Sequence, residues 1–314
     1  MFDYKIHITP DDYIHELEEK DCKDYLFIAP VGETLNNEMS DVYYQENAFV
    51  PYHEHKKGYE TFAIDRGSVE VTINGKRAIA ETGDMIHIEP YMSHGFRFLE
   101  EGTIWRELFL GMDMYGGILE KQLIDRSYPE KLKDDAFMAG YRLKHHTKRL
   151  GEPEPEVVQK EGMPQIRPKG KGIACFAFDG IVCSQKVGRH ETGGAKEIWE
   201  FAMDKGVCVE WDAPHPDWDL YVVKEGRVEV SVLGETFTAN ARDILHVPPY
   251  TSYSMKILDD RTVLHAYNVK ALGLRLAEIV EKKLEAGPDL AGHWDEVKDI
   301  FRQNKSCITK ISRV

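Results

Sequence analysis

The chain has 314 residues, 42% of them hydrophobic and 11% aromatic, which is enough for packed cores and, by length, for two domains. Its formal charge of −14 argues against a nucleic-acid partner, because phosphate binding needs a basic face. The five cysteines (Cys22, Cys175, Cys183, Cys208, Cys307) form no C-x-x-C pair, which argues against a disulfide framework or a thiolate zinc site.

In chain order, the N-terminus MFDYKIHITPDDYIHELEEKD is acidic and lacks the basic-then-apolar order of a secretory signal. No apolar run approaches the roughly 20 residues of a membrane helix. A cytoplasmic protein with no membrane partner is expected. Residues 67–93 read as antiparallel β-structure. Val69, Val71 and Ile73 alternate with Glu70, Thr72 and Asn74, the period of a half-buried strand. Asn74-Gly75 is a hairpin turn signal, and a short strand from Asp84 ends at Pro90. Residues from about 114 to 150 carry helical spacing, and RLKHHTKRL (142–150) reads as a solvated helix face. GEPEPEVVQKEGMPQIRPKGKG (151–172), rich in Pro, Gly and charge, reads as a connector. Near the C-terminus, 270–287 and 293–304 read as helices, the first stopped by Gly287-Pro288.

The pattern of 67–93 returns 159 residues later as GRVEVSVLGETFTANARDILHVPPYTS (226–252), with 11 of 27 positions identical and no gap. One β-unit is therefore used twice. The expected organisation is an N-terminal β-domain at 1–125, a helical linker at 126–170, a second β-domain at 171–270 and a helical tail at 271–314. His87 and His246 recur in both copies between apolar residues, so a packing or interface role is expected for them rather than metal binding.

PYHEHKKGYE (51–60) places His53, His55 and Glu60 within eight residues. In a strand, residues two apart point the same way, so His53 and His55 share a face. Lys56-Lys57-Gly58 is a turn-like break, and Glu60 would face the same point if the two flanking strands pair. His94 follows the strand that ends at Pro90 and supplies a fourth donor. Three imidazoles and a carboxylate suit one divalent transition metal, Fe, Mn, Ni, Co or Zn, with positions left open for a small-molecule substrate. Glu60 is also the candidate catalytic base. Tyr43, Tyr44, Gln45, Phe49, Arg66, Trp105 and Arg106 are candidate substrate contacts.

The spacing His53-x-His55-x4-Glu60-x6-Gly67 resembles the first motif of the cupin family, with Asn47 where that motif opens on a glycine. Gly83 followed eleven residues later by His94 resembles the second motif, with two departures: Glu89 stands at the proline position and Tyr91 replaces a glycine. The resemblance implies a mainly β bicupin, two jelly-roll barrels in one chain, often paired as homodimers. It implies metal chemistry without fixing the reaction. Dioxygenase, non-redox lyase, decarboxylase or isomerase, and metal-stabilised binding protein all stay open, with dioxygenase first because bicupins resembling ring-cleaving dioxygenases include ones with one active and one degenerate barrel. In the second copy the same shift gives Asp212, Pro214, Asp219 and Tyr253, or His215 with a one-residue slip. The second barrel is therefore expected to be structural. The alternative is a metal-free pocket of Trp211, His215, Trp218 and Tyr253.

Overall fold

The computed structural model describes residues 5–29, 37–178, 180–211, 218–267 and 308–313. The chain divides into two compact units, residues 13–169 and residues 1–12 with 170–314. Each is built from two sheets, antiparallel but for the edge pairing of Glu156–Val157 with Lys76–Glu81, so the protein is mainly β with two jelly-roll barrels, as the resemblance implies.

In the first unit one sheet runs in the order Thr147–Arg149, Phe49–His55, His94–Phe98, Ser68–Ile73, Lys76–Glu81, Glu156–Val157. The other runs Ile166–Arg167, Met85–Ile88, Tyr59–Arg66, Thr103–Leu110, Asn37–Tyr44, Cys22–Ile28, His15–Glu18. Strand alternation puts Val69, Val71 and Ile73 inside, where they pack with Val42, Phe62, Phe96, Phe98 and Trp105. The Asn74-Gly75 hairpin forms with both residues at positive φ, 48° and 76°. Gly67 explains the first glycine of the repeat. Its φ is +92°, and a Cβ there would lie 2.4 Å from Thr103 Oγ1; Gly226 has the same problem with Thr262 Oγ1 at 2.4 Å.

Three expectations about boundaries need correction. Residues 126–170 are not a free-standing helical linker. Helices Met114–Ser127 and Asp135–Lys144 are followed by three short strands that join the first unit's sheets, and this unit extends to Lys169. The first twelve residues, expected with the N-terminal domain, group with the second unit, where His7–Ile8 pairs with Ile244–Val247. The expected tail helices at 270–287 and 293–304 lie outside the described residues, but Ile308–Arg313 is a strand paired with Val207–Trp211.

The second unit has one sheet in the order His7–Ile8, Ile244–Val247, Asp219–Glu225, Thr262–Tyr267, Ile198–Met203, Ile181–Val187, Cys175–Phe178. Its other sheet runs Glu235–Ala239, Val228–Val232, Tyr253–Ile257, Val207–Trp211, Ile308–Arg313. Among the described residues no helix is long and apolar enough to cross a membrane.

Candidate metal centre

His53, His55, Glu60 and His94 come together in the first unit, with one ligand atom from each lying within 4.8 Å of the others. His53 and His55 sit on the inner face of Phe49–His55, and His94 is directly opposite His53 on the neighbouring strand. Glu60 does not come from a paired strand, as the sequence reading supposed. Its strand, Tyr59–Arg66, belongs to the other sheet, so the carboxylate reaches the histidines from the opposite wall. The break at Lys56-Lys57-Gly58 carries the chain between sheets, with Gly58 at φ +89°.

The loop before His94 departs from the family motif in sequence, and its backbone turns through a left-handed residue. Tyr91, where a glycine is usual, takes φ 65° and stays exposed, and its N–H donates to His55 O at 2.7 Å. Asn47, at the other glycine position, has φ 63°. Asn tolerates this region better than a tyrosine does.

The outer nitrogens of the three imidazoles fix how the inner ones behave. His53 Nδ1 donates to Pro51 O at 2.7 Å and His94 Nδ1 to Met92 O at 2.9 Å; a carbonyl can only accept, so each ring carries its proton there. His55 Nδ1 meets Thr147 Oγ1 at 3.1 Å, whose own proton goes to His145 O at 3.2 Å. All three Nε2 lone pairs therefore point inward. His53 Nε2 lies 2.9 Å from His55 Nε2, and Glu60 approaches His55 and His94 at 2.9 Å each. Glu60 Oε2 is buried without a hydrogen-bond partner. Three lone pairs and a carboxylate aimed at one buried point repel one another unless a cation sits among them, so this donor set fits a divalent transition metal.

Burial opposes the charge on Glu60, yet His55 and His94 hold its carboxyl well below the usual carboxylate range. Burial likewise opposes a proton on His55, but Glu60 raises it. His53 is pushed down to about 3, by burial and then by His94.

His53, Glu60 and His94 line a cavity of about 200 Å³. Tyr44, Phe62, Phe96, Trp105 and Phe109 line it as well, together with Asp24 and Glu107. Of the seven candidate substrate contacts, Tyr44 and Trp105 face this cavity. Arg106 points to the opposite side of its strand and is held in a buried pair with Asp41, through Nε at 2.6 Å and Nη2 at 2.8 Å. Arg66 is exposed and bonds Gly102 O, while Phe49 and Gln45 are exposed and Tyr43 packs on Tyr25. His87 is buried against Thr61 at 2.9 Å, and His246 is buried beside Trp218, where burial takes it down to about 4.

Sequence reasoning missed Asp24 and Glu107. For Glu107 the available signal was a carboxylate two residues from Trp105 in the mostly apolar strand TIWRELFL.

In the second unit Trp211, not residue 212, lies opposite Tyr253. Trp211 stacks on Tyr253 at 4.7 Å, and the Tyr253 hydroxyl donates to Asp219 at 2.7 Å and meets the Tyr221 hydroxyl at 2.7 Å. Tyr221 and Tyr253 belong to that unit's hydrophobic core. Asp212, Pro214 and His215 lie outside the described residues.

Residues 40–104 match the cupin domain family. Three similar solved structures are all oxalate decarboxylases. A study of an element that modulates proton-coupled electron transfer gives a TM-score of 0.54 at 17% identity. A study of substrate binding and reaction specificity gives 0.52 at 16%. A single-residue variant of the Bacillus subtilis enzyme gives 0.53 at 16%. Each match covers 84% of this chain and 77% of the other. No curated relative matches the sequence. The first unit therefore carries a cupin domain, and the chain has the fold of a two-cupin protein.

Proposed function

We propose that the first barrel is the centre of a metal-dependent enzyme acting on a small organic substrate that offers an anionic oxygen to the metal. The observation that carries this reading is the position of the ligand set. A structural zinc site is closed on all sides, whereas here three of the four donors line a cavity rich in aromatic residues. His53, His55, His94 and Glu60 would hold the ion. When bound, such an ion polarises a coordinated oxygen or binds dioxygen beside the substrate. The chain's own part is to orient and to exclude water. Phe62, Phe96 and Trp105 pack on one another in the lining and keep it apolar. Glu60, with its carboxylate facing that space, is the base we assign.

Dioxygenase chemistry is the first reading, on the pattern of one barrel with a full ligand set and one whose described counterparts are Trp211, Asp219 and Tyr253. Decarboxylation or another lyase reaction is the second, favoured by the fold it shares with oxalate decarboxylases. Oxalate itself suits the cavity poorly: a small dianion would share it with Asp24 and Glu107, and no Lys or Arg is among the described lining residues. Metal analysis followed by a substrate panel under air and under nitrogen tests the proposal. Substrate-dependent oxygen uptake supports the dioxygenase, and turnover that persists under nitrogen supports the lyase. A tightly held metal with no exchangeable water and no binding of small carboxylates or phenolates would overturn both.

A further inference from the structure

The inner faces of the two sheets put chemistry of opposite character into one cavity. On the strands of the larger sheet, Asp24 is directly opposite Val42, Val42 opposite Trp105, and Glu107 opposite Phe62. These residues alternate inward with Phe109 and Glu60, so the carboxyls of Asp24 and Glu107 lie on the same inner face as the proposed metal ligand. Glu107 Oε1 is engaged by the Trp105 indole N–H at 2.8 Å. Asp24 is different. It is 7% exposed, lines the cavity, and its Oδ1 has no hydrogen-bond partner.

Burying a carboxyl without a charge partner costs several kcal/mol, and the nearby Ser40 hydroxyl offsets only part of it for Asp24. Nothing in the lining offsets it, because the described lining residues include no Lys or Arg and the histidines belong to the proposed metal ligands. Burial raises Asp24 to about 7 and Glu107 well above the usual carboxylate range, which is how two acids behave when no cation lies beside them. A cationic group from outside would supply the missing partner. The aromatic residues of the same lining, Tyr44, Phe96 and Trp105, also favour a cation or a flat ring.

We infer that Asp24, supported by Glu107, is a specificity-determining residue that accepts a basic nitrogen of the substrate. The substrate is then bifunctional, with a metal-binding oxygen at one end, an apolar or aromatic body, and a primary or secondary amine at the other. This deepens the proposed function and rests on its metal-centre reading.

The test uses the full chain loaded with one equivalent of zinc and three probes of one ring system under nitrogen: 4-ethylcatechol, 4-(2-aminoethyl)catechol and 3-(3,4-dihydroxyphenyl)propionate. Binding is read by calorimetry. The aminoethyl compound is expected to bind about tenfold tighter than the ethyl compound, the size of a good charge-assisted hydrogen bond, with the propionate weakest. Asp24→Asn should reduce the amine preference to about threefold or less while leaving 4-ethylcatechol binding in place, which shows that the cavity is intact. Glu107→Gln should reduce it by a smaller factor and guards against a folding defect in the first variant. Equal binding of the three probes, a preference for the propionate, or an amine preference that survives both substitutions would overturn the inference while leaving the metal centre standing. If zinc does not bind, the metal-centre reading fails and the inference fails with it.

Discussion

The two barrels share a frame and differ at the point where chemistry would occur. Both keep a glycine at positive φ under a threonine, Gly67 beneath Thr103 and Gly226 beneath Thr262. Both keep a tight hairpin and a tyrosine in the left-handed region, Tyr91 and Tyr250. In the first barrel His94 and Glu60 face a shared centre, whereas the equivalent Tyr253 and Asp219 hydrogen-bond each other at 2.7 Å within a packed aromatic cluster. Buried donors can be tolerated in two ways, by a cation that neutralises them or by direct bonds that satisfy them. The first barrel leaves Glu60 Oε2 without a hydrogen bond, and the second pairs the counterpart carboxylate with a phenol. The frame therefore does not depend on the ligand set.

The largest expected effect breaks this contrast outright. His55→Ala should lower metal affinity by more than about 100-fold, since even a supporting residue around a metal ligand is worth 10–100-fold. The fold should survive, because the first barrel has a hydrophobic core of its own, including Val69, Val71, Ile73 and Phe98, to which His55 does not belong. Tyr253→Phe should leave metal content unchanged at one ion per chain. Elemental analysis with circular dichroism checks all three statements; two tightly bound ions per chain, or an unfolded His55→Ala, would contradict them.

Next in size is the pH dependence of stability in the first barrel. Burial raises Asp24 to about 7 and Glu38 to about 8. A carboxyl whose pKa is higher in the folded chain than in the unfolded one keeps an extra proton on folding. Its contribution is complete below about pH 4 and is lost as pH rises through the folded value. First-barrel stability should thus fall between about pH 4 and 8, by at most about 1.4 kcal/mol per pH unit for each group. Asp24→Asn should flatten that slope. Urea melts at several pH values, resolved by hydrogen exchange on strands of each unit, measure it. An unchanged slope in the variant would show that Asp24 does not carry the dependence.

The shared frame gives a smaller, symmetrical effect. Gly67→Ala and Gly226→Ala each force a Cβ to 2.4 Å from a threonine oxygen at a positive φ. Each should cost about 2 kcal/mol, and the two costs should match within experimental error if the barrels are equivalent frames. A large asymmetry in thermal denaturation would show that one unit is more plastic than the repeat suggests.

Much of this was legible in the sequence because it is local. The alternation at Val69, Val71 and Ile73, the Asn74-Gly75 turn, the 159-residue repeat and the spacing of His53, His55 and Glu60 are all short-range patterns. The acidic side of the cavity was not legible. Thr103–Leu110 is buried along its whole length, so alternation gives no sign of which face looks inward, and Trp105 and Arg106 appeared as equal candidates. Only the register, which sets Trp105 beside Val42 and Arg106 beside Asp41, separates them. The strands Glu156–Val157 and Ile166–Arg167 were hidden for another reason. Two-residue strands in a Pro- and Gly-rich segment exist because a sheet edge accepts them, and local propensity does not encode that edge.

The smallest effect concerns the two tyrosines at positive φ. Tyr91 (φ 65°) and Tyr250 (φ 59°) are both exposed, at 66% and 67%, so packing gives neither side chain much reason to be there. A left-handed backbone costs a non-glycine residue roughly 1–2 kcal/mol, while glycine carries a larger entropy cost on folding. The two terms largely offset, and Tyr91→Gly and Tyr250→Gly should each change stability by less than about 1 kcal/mol. What separates the barrels is function. The Tyr91 N–H bonds His55 O, so this turn ties the His94 loop to the strand bearing His53 and His55. If that tie positions the ligands, Tyr91→Gly will loosen it and raise the metal dissociation rate, and Tyr250→Gly will leave the rate alone. Chelator-competition kinetics on the two variants decide the matter. Equal rates would mean that the Tyr91 turn does not position the ligands.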